Sequence, residues 1–144
     1  MEKNINYFEE YYQEFLNEFH PDLVKQFGNS LNSEIQSKAK MAFDLYDSSR
    51  KEGVDMISSL EIAHNFLKEG KKFSRYSIIS RVLNETFEEK FNEWKRNGKD
   101  KELCLAIMED CESVFKKHDT SDDFIYNDSL DVELISKIKE LQYF

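Results

Sequence analysis

Proline occurs once in the 144 residues, tryptophan once, cysteine twice and glycine four times. Two cysteines cannot build a disulfide scaffold, and so few turn formers exclude a collagen-like repeat or a turn-dense β architecture. No apolar run approaches the roughly 18 residues of a membrane span. Residues 1–10 (MEKNINYFEE) have no basic segment leading into an apolar one, so a soluble, cytoplasmic chain with no membrane partner is expected. Chemical motifs are missing as well. There is no CxxC or HExxH to hold a metal, and no GxGxxG or GxxxxGK[ST] to cradle a phosphate. No metal and no cofactor are assigned.

What the chain does have is acid and aromatic rings. Twenty-nine acidic residues against 20 basic ones give a net charge of −9, and 12 Phe with 7 Tyr argue against disorder. The length suits one unit of about 100–200 residues, so residues 1–144 are expected as a single helical domain. Charge is uneven along it: −4 over residues 1–50, +1 over 51–100 and −6 over 101–144. Nucleic-acid binding draws most of its affinity from basic groups on phosphates. Both ends of this chain would be repelled by phosphate, and only the middle could approach it.

Apolar residues recur with helical spacing throughout. Ile5, Phe8, Tyr12, Phe15, Leu16 and Phe19 form the first stripe, widened by Tyr7 and Tyr11, and Pro21 ends it at His20. A second helix is predicted from Ser30 or Ser33 to just before Gly53, with Ala39 and Ala42 small enough to let a neighbour approach. Ser58-Ser59-Leu60-Glu61 reads as a capping box with Ile57 and Ile62 as its staple, and Gly70 as the stop. Ser74 caps a fourth helix running to Asn97-Gly98. Asp100 caps a fifth, and Asp128 or Ser129 starts the last. No segment alternates as a strand would. The expectation is an all-α fold, an irregular bundle of about six short helices.

Each candidate site has a plain structural reading beside it. Cys104, Cys111 and His118 stand seven residues apart, about 10.5 Å of helix rise per step, too far to share a metal whose ligands lie about 2 Å from it. The thiols are read as core. His64 reads as a boundary residue, and His20 as a partner for the carbonyls ending the first helix. Aligned from Asp119, the loop toward Leu130 has calcium-like oxygens, but Phe124 stands where such a loop needs Gly and Leu130 where it needs Glu. It is read as a solvated capping loop, and Glu85, Glu88, Glu89 and Glu93 as a solvated helix face. Lys68, Lys71, Lys72 and Arg75, joined by Arg81, form a basic cluster read as solubilising lysines in a turn, with contact to an anion or a partner's carboxylate as the functional alternative. A second basic group is Lys95, Arg96, Lys99 and Lys101.

Several stretches together carry a resemblance. They are Phe15-Leu16 leading to His20-Pro21, Gly70 with Phe73-Ser74-Arg75-Tyr76, Val82-Leu83 with Asn84-Glu85-Thr86-Phe87, Val114-Phe115-Lys116-Lys117, and Ser121-Asp122-Asp123-Phe124. In this order they resemble the domain of unknown function 1896, an uncharacterised family of anaerobic gut and oral bacteria. Lys71-Lys72 and the lysine-rich final helix depart from its pattern. The resemblance implies an all-helical fold, no established activity and no catalytic residues to carry over, with members often encoded on conjugative elements. Local roles suffice for these residues: Ser74 as a cap, Asp122 and Asp123 as loop acceptors, Phe73 and Phe124 as plugs between helices.

The function expected is a non-enzymatic, acidic helical module that binds another protein or itself, linked to mobile elements. Tyr11, Tyr126, Tyr143 and Phe144 are its candidate contact residues. The alternative is a nucleic-acid-associated protein using the middle basic surface, or a DNA mimic using the acidic ends.

Overall fold

The computed structural model describes residues 3–118, 120–124 and 126–143. Among these the chain is all-α, with no strand. The helices are α1 (Ile5–Phe19), α2 (Pro21–Phe27), α3 (Leu31–Lys51), α4 (Met56–Lys68), α5 (Arg75–Thr86), α6 (Glu88–Arg96), α7 (Asp100–Asp110), α8 (Glu112–Lys117) and α9 (Asp128–Glu140), with a 3-10 turn at Gly28–Ser30. The residues gather into two compact units, one up to Lys72 and one from Phe73, each around its own core.

About six helices were expected and nine are found among the described residues, for three local reasons. Pro21 ends α1 but also opens α2, since at the first helical position proline has no intrahelical donor to lose. Phe87 departs from helical geometry at φ −124°, ψ 44° and separates α5 from α6. Cys111, at φ −95°, ψ 10°, separates α7 from α8. In both breaks the flanking apolar residues still face one core, so the stripes run on where the backbone does not.

Side-chain caps set four of the nine helix starts among the described residues. Asn4 accepts from the Tyr7 N–H, Ser74 from that of Ser77 as expected, and Asn127 from that of Leu130. The predicted capping box at Ser58 is replaced by Asp55, whose carboxylate accepts from the Ser58 N–H at 3.1 Å. Its staple is absent too: Ile57 and Ile62 are 78% and 42% exposed. Asp100 lies in the first turn of α7 without capping it, where its charge still complements the helix dipole. Ser30 precedes α3 but donates its hydroxyl back to the Phe27 carbonyl. Gly70, at φ 75°, ends α4 in the left-handed region that glycine enters without strain.

In the first unit α1, α3 and α4 pack together. Phe8 meets Phe43 and Tyr46, and Tyr12 reaches Glu34, so α1 runs against α3. Tyr7 and Tyr11 meet His64, and Lys68 lies over Tyr11 and Phe15, so α1 runs alongside α4. The small residues Ala39, Ala42, Ser59 and Ala63 are all fully buried where α3 and α4 approach. His20 takes a different partner from the one expected. Its Nε2–H donates to the Lys71 carbonyl at 2.7 Å, clasping the α1–α2 corner to the turn that follows α4.

In the second unit Ile79, Leu83, Ile107, Phe115, Leu130, Leu134 and Ile138 have no exposed surface. Phe73 and Phe124 meet edge-to-face at 4.9 Å, and Phe73 also meets Phe115 at 6.3 Å. They are the plugs expected of them. Arg81 reaches across to α9, bonding both carboxylate oxygens of Asp131 at 2.8 and 3.0 Å and the Tyr126 hydroxyl at 2.9 Å. The Tyr126 hydroxyl also donates to Asp131. Burial alone would raise the Asp131 carboxyl, but Arg81 and Tyr126 outweigh it and hold that group below its ordinary value.

Candidate functional site: an aromatic seam between α1 and α4

Tyr7, Tyr11, Phe15 and Phe19 recur every fourth residue along one edge of α1. The core takes the next residue round, burying Phe8, Tyr12 and Leu16 completely, and leaves this row at the margin. Tyr7, Tyr11 and Phe15 are half-buried, and Phe19 is exposed. Beside the row lies α4, on which Ile57, Glu61, His64 and Lys68 share a face by their spacing of four, three and four residues.

The imidazole of His64 is stacked on Tyr11, with ring centroids 3.9 Å apart and planes 8° from parallel. Its Nε2 is hydrogen-bonded to the Tyr7 hydroxyl at 2.9 Å. The Lys68 ammonium lies 5.6 Å from the centre of Tyr11 and 5.9 Å from that of Phe15, and the Lys3 ammonium 4.8 Å from that of Tyr7. The result is a ridge of rings whose polar atoms are held in place, running from exposed Ile57 toward exposed Phe19. Tyrosines held by stacking, one with its hydroxyl bonded, offer contact area at little cost in rotamer entropy.

Burial first, then the Lys68 ammonium, pushes His64 below its ordinary value, so its ring is neutral at neutral pH. The unfolded chain would take up a proton near pH 6.5 that the folded ring resists. Above that pH neither state carries the proton and stability is level. As pH falls below about 6.5, through the lower folded value, stability is lost. Urea unfolding at pH 7.5 and 5.5 is expected to show a smaller drop for His64→Gln than for the unmodified chain. An equal drop in both would remove His64 as the cause.

The remaining candidates are taken up by the fold. Cys104 and Cys111 are fully buried, and burial pushes both thiols up to about 11. A thiol that stays protonated and hidden is a poor nucleophile. A thiol reagent such as DTNB is expected to leave both unmodified in the native protein and to titrate two per chain in denaturant; rapid native labelling would contradict their core placement. His118 donates to Glu133 at 2.6 Å. Among the described residues no three His, Cys, Asp or Glu side chains gather as a metal would need, and no helix is long and apolar enough to cross a membrane.

The basic cluster is divided among separate partners. Lys68 belongs to the aromatic seam, Lys71 lies 5.8 Å from the centre of the Tyr12 ring, and Lys72 closes the first unit. Arg75, in the second unit, stacks over Phe115 at 5.1 Å and donates to the Thr120 hydroxyl. Of the second basic group, Lys95 lies 4.6 Å from the centre of Phe91. Glu85 pairs with Arg81 and Glu93 with Lys90 on the exposed helix face expected of them, beside an open depression of about 420 Å³ at the α5–α6 break.

Of the four aromatics named as contacts, Tyr11 is central to the seam. Tyr126 is exposed but tied to Arg81 and Asp131, and Tyr143 donates to Asp110 and meets Trp94 edge-on. Phe144 lies outside the described residues, as does Asp119 of the loop. Sequence reasoning missed the pairing of Tyr7 with His64 and the continuation of the row to Phe19. The four-residue spacing of the α1 rings was the signal that could have found the row.

Comparison with known proteins follows the same lines. The profile of the family described as Domain of unknown function (DUF1896) matches residues 1–141. The crystal structure of protein PG0816 from Porphyromonas gingivalis is similar over 95% of this chain and 89% of that one, with a TM-score of 0.77 and 25% sequence identity. No curated protein matches.

Proposed function

The chain belongs to the family described as Domain of unknown function (DUF1896), and from that premise we propose that it is a non-enzymatic module that binds another protein through the α1–α4 seam. The observation that carries this reading is the half-exposed Tyr7–Tyr11–His64 cluster, with its hydroxyl, imidazole and ammonium groups fixed by one another. Tyrosine is enriched at protein interfaces and at the few positions that supply most of their affinity. The side chains that acyl or proton transfer would use support the same reading. Both thiols are buried and protonated, and the His20 and His118 rings are spent on the Lys71 carbonyl and on Glu133.

Tagged full-length chain recovered from cells of its native host tests the proposal. One stoichiometric partner is expected, retained by Tyr126→Ala and lost from Tyr11→Ala/His64→Ala, with circular dichroism confirming that both variants fold. Repeated recovery of no partner, or equal recovery by all three proteins, would overturn it.

A further inference from the structure

Beside the aromatic row on α1 runs a second row. Glu10, Glu14 and Glu18 are exposed and recur every fourth residue, each three positions after Tyr7, Tyr11 and Phe15. The spacing sets successive carboxylates about 6 Å apart along the helix and makes each a surface neighbour of the ring before it. Among the described residues none of the three carboxylates has an ion-pair partner, and of the exposed acids without one they alone form such a row beside the aromatic seam. The rings of the adjoining row already lie under two ammonium groups, Lys3 and Lys68. This edge of α1 therefore joins a strip of rings that accepts cations to a line of carboxylates without ion-pair partners.

Resting on the protein-binding reading above, we infer that the partner segment seated on this edge is basic: a lysine- or arginine-rich stretch with apolar residues beside its charges. Such side chains lay their methylene stems along aromatic surface while the charged head reaches the carboxylate. The net charge of −9 steers a basic segment toward the chain. An acidic segment or a nucleic-acid backbone would have to approach three carboxylates in a row.

The test uses the full chain and a short helical peptide with lysines at i, i+4 and i+8 beside a leucine row, together with matched peptides carrying glutamine or glutamate for lysine. Binding is followed by amide chemical shifts and calorimetry at low and high salt. The lysine peptide is expected to shift α1 and α4 amides and to weaken as salt rises. Neutralising the row in E10Q/E14Q/E18Q is expected to weaken it at least about tenfold. The equal-charge control E88Q/E89Q/E102Q should change affinity less than about twofold, separating this edge from general acidity. No binding of the lysine peptide, or equal binding by the two triple variants, would overturn the inference. If the glutamine or glutamate peptide shifts the seam more strongly, the basic partner is wrong while the seam remains a docking surface. Repeated recovery of no host partner by the unsubstituted chain would instead bring down the protein-binding reading itself.

Discussion

Truncating Phe115 to alanine is expected to cost about 3–5 kcal/mol of folding stability. The ring has no exposed surface, receives the edge of Phe73 at 6.3 Å and lies under the Arg75 guanidinium at 5.1 Å. Its removal leaves a cavity whose cost depends on how far the helices around it can close in. Part of the loss is transfer of apolar surface back to water, and the rest is packing forfeited by the residues left lining the void. Denaturant unfolding gives the magnitude, and hydrogen exchange at the amides of α5, α7 and α9 locates it. A loss below about 1 kcal/mol would mean that Phe115 does not organise this core.

The opposite change is expected to be costly in the first unit. Ala63→Leu adds three carbons where α3 and α4 pack through Ala39, Ala42, Ser59 and Ala63, none of which has exposed surface. The added atoms must force the helices apart or take a strained rotamer, at a cost of about 1–3 kcal/mol. Ser59 sharpens the constraint, since its hydroxyl donates to the Val54 carbonyl just before α4 and so fixes the entry of that helix. A shift in the denaturation midpoint with unchanged slope would report the loss. No destabilisation, or a gain, would show slack at this crossing.

Helical periodicity made the core legible, and the structure shows why its reading of boundaries was less complete. The stripe from Ile5 to Phe19 covers α1, and the stop expected at His20 is its C-cap, because Pro21 imposes an end whatever packs nearby. Phe87 and Cys111 carry no such mark. The residues on either side keep helical spacing, and the interruptions let short helices turn around one core. At α4 the polar run Ser58-Ser59 resembled a cap more strongly than Asp55 did, yet Ser59 is buried against α3 and only Asp55 has the extended backbone of a capping residue. His20 was readable as a hydrogen-bonding ring at a helix end. Its partner, the Lys71 carbonyl, lies 51 residues away and could not be read from local sequence.

The seam was half legible. Tyr11 stood out as an aromatic at the edge of a helical stripe, but His64, 53 residues further on, became part of the same cluster only when α4 packed beside α1. The basic residues were legible as a group in sequence, but not the rings that receive them: the heads of Lys68, Lys71 and Arg75 lie over Tyr11, Tyr12 and Phe115. Aromatic content this high gives nearby cations somewhere to go within their own fold.

That a protein partner sits on the α1–α4 seam is tested most directly by placing a photoreactive phenylalanine analogue at position 11 and, separately, at position 126, in full-length chain expressed in its native host. The expected result is one discrete cross-linked protein from position 11 and none from position 126, although Tyr126 is the more exposed of the two. Cross-linking from position 126 alone, or from neither position under conditions that trap a known complex, would contradict it.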